Sequence, residues 1–165
     1  MLFKKKESGG ILISPLPGKI IPLSEVKDPV FAEEMLGIGF AVMPRDGMQV
    51  LNMPADGRII SVSDSAHAIN VRTKDGIELL IHVGIDTVAL RGNGFELLCT
   101  EGDLLSRGDP IMNVDFPFIR SCGKDTVTPV IITHSETVGE LLLNTGDCNC
   151  SDHIALRYEK KEDGR

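Results

Sequence analysis

The sequence predicts an all-β protein, an antiparallel β-sandwich or barrel with one or two short helices. Short apolar runs alternate with turn-forming segments, and such regular punctuation is typical of this class. Glycine (17) and proline (9) are numerous, whereas aromatic residues make up only 4% of the chain. The clearest turns lie at residues 15–18, 44–47, 54–57, 74–76 and 107–110.

The 165 residues suit a single domain, because most domains contain about 100–150 residues. We expect that domain over residues 11–158, between a flexible N-terminal tail (1–10) and a charged C-terminal tail (159–165). A duplicated motif is visible, since Pro15-Leu-Pro-Gly-Lys-Ile-Ile-Pro-Leu-Ser-Glu25 resembles Pro54-Ala-Asp-Gly-Arg-Ile-Ile-Ser-Val-Ser-Asp64. It predicts two similar β-turn-β units that share one core.

Two segments favour helix. Residues 29–35 begin with proline after Asp28, an N-cap and N1 pattern. Residues 138–143 follow Thr133-His-Ser-Glu136, which fits a capping box.

The charge and hydropathy of the chain limit the kinds of partner and the cellular compartment that we expect. The net charge is −7, and without a basic cluster or an aromatic RNA-binding motif we expect no nucleic-acid partner. No apolar run approaches the roughly 18 residues of a membrane span, and no signal peptide is visible, so we expect a cytoplasmic protein. The lysines of the N-terminal tail allow at most weak contact with an anionic membrane. Cys148-Asn-Cys150-Ser-Asp-His153 groups soft metal ligands, but exposed thiols are the favoured interpretation.

A pair of histidines gives the chemical signal. His67 and His82 flank a turn at Lys74-Asp75-Gly76 between two strand-like runs, which predicts a hairpin. A two-residue loop makes the histidines diagonal neighbours about 7–8 Å apart on one face. A four-residue loop places them opposite each other, and only an odd loop puts them on different faces. Such a pair is suited to nucleophilic chemistry, to an incomplete metal site or to a structural role.

The segment His82-Val-Gly-Ile-Asp-Thr-Val-Ala-Leu-Arg-Gly-Asn-Gly-Phe95, with His67 fifteen residues upstream, resembles the glucose-class IIA component of the bacterial phosphoenolpyruvate-dependent sugar phosphotransferase system. The resemblance extends over residues 11–157 and implies an antiparallel β-sandwich with little helix. It implies a phosphocarrier, a phosphotransferase component that accepts a phosphoryl group from phospho-HPr on Nε2 of His82. The group then passes to a cysteine of a IIB domain, for coupled sugar uptake and phosphorylation.

The same resemblance assigns roles around His82. His67 stabilises the phosphoryl group, Ser65 stands where the family usually has the threonine that orients His67, and the Gly84 carbonyl fixes the His82 tautomer. The docking surface for partners is expected to include six residues: Asp28, Val30, Phe31, Leu80, Ile81 and Asp86. For Phe31, simple core packing remains the alternative. Family aromatics near the site are replaced here, for example by Ser63 and Leu80, so partner choice is expected to differ.

Functions other than that of a phosphocarrier are compatible with parts of the sequence to different degrees. Family members that stand alone can act mainly as regulators, binding transporters or metabolic enzymes according to phosphorylation state. No cofactor is required, although zinc held by His67, His82 and a partner's carboxylate remains open. A lipoyl or biotinyl carrier at Lys74 lacks the flanking motif, and a zinc peptidase lacks further ligands. The sugar is not readable from this chain, because the IIB and IIC parts select it.

Overall fold

The structure, a computed structural model, describes residues 9–148 and 153–161. Within these residues the chain forms strands joined by turns, with two short helices, α1 (Pro29–Ala32) and α2 (Phe116–Ser121). The strands in chain order are β1 (Gly9–Ile13), β2 (Gly18–Pro22), β3 (Ile38–Pro44), β4 (Met48–Asn52), β5 (Gly57–Val62), β6 (Ala68–Thr73), β7 (Glu78–His82), β8 (Phe95–Leu97), β9 (Leu104–Leu105), β10 (Pro110–Asp115), β11 (Thr128–Ile132), β12 (Val138–Leu143), β13 (Gly146–Cys148) and β14 (Ile154–Lys160).

The strands form three sheets, and all of their pairings are antiparallel. The eight-stranded sheet has the order β13-β2-β3-β11-β7-β6-β5-β9, and the two three-stranded sheets have the orders β4-β10-β8 and β1-β14-β12. The predicted fold class, an antiparallel β-sandwich with one or two short helices, is confirmed. No helix in the described part of the chain is long and apolar enough to cross a membrane.

The predicted duplication is visible in the large sheet. The hairpins β2-β3 and β5-β6 lie in equivalent places on either side of the central β11-β7 pair. The carbonyls of Pro17 and Asp56, at matching positions of the repeat, each accept a backbone N–H at 2.8 Å, from Arg45 and Lys74 respectively. Two copies of one β-turn-β unit therefore build the sheet that carries the histidines.

The first predicted helix is correct in place and shorter than expected, whereas the second is wrong. Asp28 caps α1 by accepting the Val30 N–H at 2.9 Å. Residues 138–143 form strand β12, because β14 offers them a pairing edge and their burial alternates every second residue. Only Ser135–Thr137 makes a single 3₁₀ turn there. The true second helix, α2, starts after Asp115, whose side chain accepts the Phe118 N–H at 3.0 Å.

Two apolar clusters hold the sheets together. The larger fills the interior, and Ile81 lies in it with 0% exposure. The docking role expected for Ile81 is therefore wrong: it alternates with Leu80 and His82 along β7 and points inward. The smaller cluster includes Leu23 and Phe31, and half-buried Leu80 packs against it.

The ends of the domain extend further than expected. Gly9 pairs with Glu159, and β14 runs to Lys160. Residues 9–10 and 159–160 therefore belong to strands of the domain and not to the tails. Residues 1–8, which include those expected to contact a membrane, and residues 162–165 lie outside the described residues. Cys148 is buried at 1% exposure, which corrects the expectation of an exposed thiol. Cys150 also lies outside the described residues.

Candidate functional site

His82 ends strand β7, and its ring is fixed by the backbone that follows it. Nδ1 lies 2.7 Å from the carbonyl oxygen of Gly84. Because a carbonyl can only accept, this hydrogen bond assigns the proton to Nδ1 of the neutral ring. The Nε2 lone pair is then free to act as a nucleophile.

The chain can make this contact because of Gly84. Its φ is +74°, and a Cβ there would lie 2.5 Å from Cγ2 of Thr87 and 3.0 Å from the carbonyl oxygen of Asp125. Thr87 is itself held by a 2.6 Å hydrogen bond from Oγ1 to the Val83 carbonyl. A residue with a side chain would therefore be strained and would collide with a fixed neighbour.

His67 reaches His82 by a different route from the predicted hairpin register. Arg72 pairs with Glu78, and the Thr73 N–H bonds to the Ile77 carbonyl at 2.8 Å. Lys74-Asp75-Gly76 is therefore a three-residue loop, an odd one, for which strand alternation predicts that the two histidines lie on different faces.

The histidines nevertheless meet, with ring centroids 5.1 Å apart and the rings edge to face. His67 precedes β6, which begins at Ala68, and Ala66 takes the left-handed conformation, with φ of 59°. The tight turn before β6 removes His67 from the alternation of the strand. Its backbone still pairs across to Val83, whose N–H bonds to the His67 carbonyl at 2.8 Å.

The hydroxyl beside His67 belongs to Ser63. Its Oγ lies 3.2 Å from Nδ1 of His67 and also accepts the Ala68 N–H at 3.1 Å. The orienting contact expected of Ser65 is thus made from two residues earlier in the chain. Sequence reasoning noted Ser63 only as a replaced aromatic; a hydroxyl four residues before the histidine was the available signal.

Phe31 also packs against the ring of His82. The Phe31 and His82 centroids are 5.1 Å apart, and Phe31 is only 4% exposed. Phe31 therefore belongs to the smaller cluster, as the core-packing alternative predicted, and its burial speaks against the docking role expected for it. The capped turn of α1 holds it there.

Both histidines are driven toward the neutral form. Burial lowers the pKa of His82 below its ordinary 6.5, although the hydrogen bond to Gly84 and the charges of Asp28 and Asp86 offset part of that effect. Burial, followed by the proximity of His82, lowers the pKa of His67 below 6.5. Near neutral pH the pair therefore offers one free lone pair and one N–H without a cationic ring.

The surface around the pair is apolar with an acidic component. Val30 is 37% exposed, whereas Leu80 is half-buried, and Asp28 and Asp86 act electrostatically on His82. Met35 (67%), Leu36 (40%) and Val88 (55%) are exposed on the segments after α1 and after the Gly84 loop.

The histidines do not form a complete metal site by themselves. No group of three or more His, Cys, Asp or Glu side chains able to hold a metal ion occurs among the described residues. Two imidazoles supply half of a tetrahedral zinc set.

Comparison with known proteins identifies the family. The sequence model of a family described as phosphoenolpyruvate-dependent sugar phosphotransferase system, EIIA 1, matches residues 10–138. The chain belongs to this EIIA family. It is 37% identical over 151 residues to the glucose-specific EIIA component of Bacillus cereus, a match covering 88% of this chain and 90% of that protein.

Two further similarities agree with this membership. The chain is 41% identical over 150 residues to the glucoside-specific EIICBA component of Staphylococcus carnosus, covering 91% of this chain and 21% of that protein. It thus spans about a fifth of the length of such EIICBA relatives. The solved structure of glucose permease IIA from Mycoplasma capricolum superimposes with a TM-score of 0.82 at 32% identity, covering 93% and 99% of the two chains.

Replacing Gly84 tests the loop that fixes His82. We expect Gly84→Ala to lower the free energy of unfolding by about 1–3 kcal/mol through backbone strain, with an added loss from the contact with Thr87. Gly108→Ala is the matched control, since Gly108 has φ of +88° and open space around it. Urea denaturation measures stability, and ¹⁵N NMR of the ring reports the His82 tautomer. Equal losses for both variants with an unchanged His82 ring would contradict the assignment.

Titration of the histidine rings tests their environment. We expect both rings to titrate below 6.5 in an NMR titration of the folded protein, and near 6.5 in the denatured chain. Protonation occupies the Nε2 lone pair of His82, so this lone pair is free above the pKa of the ring and is lost as the pH falls through that pKa. His82→Ala should move the pKa of His67 back toward its ordinary value. A pKa at or above 6.5 for either ring in the folded wild type contradicts this account.

Proposed function

We propose that this chain is a phosphocarrier of the sugar phosphotransferase system, with His82 as the residue that is phosphorylated. The observation that carries the proposal is the 2.7 Å contact from Nδ1 of His82 to the Gly84 carbonyl, which leaves the Nε2 lone pair free. That lone pair attacks the phosphorus of phospho-HPr, so a new N–P bond forms while the bond to the HPr histidine breaks. In the second transfer a IIB cysteine sulfur forms an S–P bond, and His82 leaves as the neutral ring.

His67 is the group that stabilises the phosphoryl oxygens in this proposal. Phosphoryl transfer depends on positioning and on stabilising charge that is already spread over the oxygens. The His67 ring is 5.1 Å from that of His82, and its N–H can make a charge-assisted hydrogen bond to the transferred group. Because burial favours the neutral ring of His67, this ring donates one hydrogen to the phosphoryl oxygens and carries no positive charge of its own.

The proposed partners are phospho-HPr and a IIB domain. Exposed Val30, with the acidic side chains of Asp28 and Asp86, offers an apolar contact bordered by negative charge, which suits a partner that presents an arginine near its own reactive residue. Relatives named as EIICBA components support a working association with IIB and IIC parts. The chain and its partners would meet in the cytoplasm.

The phosphocarrier is favoured over a mainly regulatory binding protein. A regulator needs only a residue whose charge changes, whereas this site fixes the ring nitrogens of two neighbouring histidines. Fixed ring orientations of this kind are expected where a phosphoryl group must be transferred to a second protein. Zinc is secondary: His67 and His82 supply two nitrogen ligands, and the remaining ligands must come from outside the described residues.

Intact-mass spectrometry tests the proposed relay. The wild type, His82→Ala and His67→Ala are incubated with phosphoenolpyruvate, enzyme I and HPr. We expect one acid-labile phosphoryl group on wild type and none on His82→Ala. His67→Ala should accept the group and pass it to a IIB domain about 10²–10³-fold more slowly, the usual loss for a removed transition-state donor. Phosphorylated HPr alongside unmodified wild type would overturn the proposal for this HPr.

Neutralising the two acidic residues tests the docking surface. We expect Asp28→Asn and Asp86→Asn each to slow acceptance from phospho-HPr several-fold at low salt, with the difference shrinking as ionic strength rises. Asparagine preserves the N-cap at Asp28 and tolerates the left-handed backbone of Asp86, whose φ is 57°. Glu140→Gln, an exposed change on β12, is the matched control. Identical rates for all three variants contradict an acidic docking role.

A further inference from the structure

Ser63 is held rigidly beside His67. Its backbone N–H donates to the Ala68 carbonyl at 2.9 Å, and its own carbonyl accepts the Ala66 N–H at 2.8 Å. Its hydroxyl oxygen accepts the Ala68 N–H at 3.1 Å and lies 3.2 Å from Nδ1 of His67. The hydroxyl is therefore aimed at one ring nitrogen by a closed turn.

The proton inventory of this contact decides its direction. The Ala68 N–H already fills one lone pair of the Ser63 oxygen, and the hydroxyl has one hydrogen to place. Nδ1 of His67 is the acceptor that the described contacts of this oxygen supply. If Nδ1 carried the proton instead, the oxygen would accept twice and its hydrogen would have no partner among those contacts.

We propose that Ser63 is a positioning residue that donates its hydroxyl hydrogen to Nδ1 of His67 and thereby fixes His67 as the Nε2–H tautomer. The role of this tautomer in catalysis rests on the proposed phosphocarrier function. The two rings then hold opposite tautomers: His82 carries its proton on Nδ1, which donates it to the Gly84 carbonyl in a hydrogen bond, and His67 carries its proton on Nε2. One free Nε2 attacks phosphorus while the other donates to its oxygens.

This arrangement differs from the one that the family resemblance implies. In the family arrangement, the hydroxyl two residues before His67, which is that of Ser65 in this chain, is the orienting group. Here Ser63 stands where an aromatic is common and takes over that contact. The exchange gives the chain a polar wall next to His67 and a hydrogen bond that depends on a single side chain.

Ring tautomers and transfer rates in three variants test the proposal. Ser63→Ala removes the donor, Ser63→Thr keeps a hydroxyl at the same place, and Ser65→Ala is the matched control. ¹⁵N NMR of the ring nitrogens in the unphosphorylated protein reads the His67 tautomer directly. Transfer from the phosphorylated chain to a IIB domain is then timed in the same variants, and unchanged His82 ring signals verify that the site remains folded.

We expect a single Nε2–H form for His67 in wild type and in Ser65→Ala. In Ser63→Ala, a larger fraction of His67 should be in the Nδ1–H form, and transfer of the phosphoryl group to a IIB domain should be about tenfold slower than in wild type. Ser63→Thr should restore both the tautomer and the rate. A wild-type His67 protonated on Nδ1, or a tautomer that responds to Ser65→Ala and not to Ser63→Ala, would overturn the proposal. If the tautomer follows Ser63 while no variant accepts phosphate, the positioning role stands and the phosphocarrier function fails.

Discussion

The hydrogen bond between Nδ1 of His82 and the Gly84 carbonyl is the constraint on which the rest of the site depends. It decides which ring nitrogen keeps a free lone pair, and it depends on the sharp turn after β7 at a left-handed glycine. Thr87 and the Asp125 carbonyl close the space around that turn. His67 and Phe31 both pack against a ring whose orientation is already fixed.

Burial gives this pair its chemical character. A protonated histidine has no lone pair to attack phosphorus, so a nucleophile at neutral pH benefits from a lowered pKa. Burial lowers the pKa of both rings, while Asp28 and Asp86 oppose it at His82. The two acidic residues therefore favour protonation of His82, and in this protein the effect of burial on its pKa outweighs theirs.

Much of the fold was predictable, and the errors have identifiable causes. The repeated β-turn-β unit, the capped turn at Asp28 and the strand pattern are local features, and they were predicted correctly. The capping box at Thr133–Glu136 predicted a helix over residues that instead pair with β14 as strand β12. This prediction failed because non-local strand pairing overrides a local propensity. The hairpin loop has three residues rather than two or four, yet the histidines still meet, since the turn at Ala66 releases His67 from strand alternation.

The all-β class, the two histidines and the loop from His82 to Thr87 can be predicted from the amino-acid sequence, because each depends on residues close together in the chain. The packing of Phe31 on His82, the inward orientation of Ile81 and the contact of Ser63 in place of Ser65 become visible once the chain is folded. The first two outcomes depend on which strands pair and which face is covered. The third depends on a backbone turn whose left-handed residue, Ala66, gives no signal in the sequence.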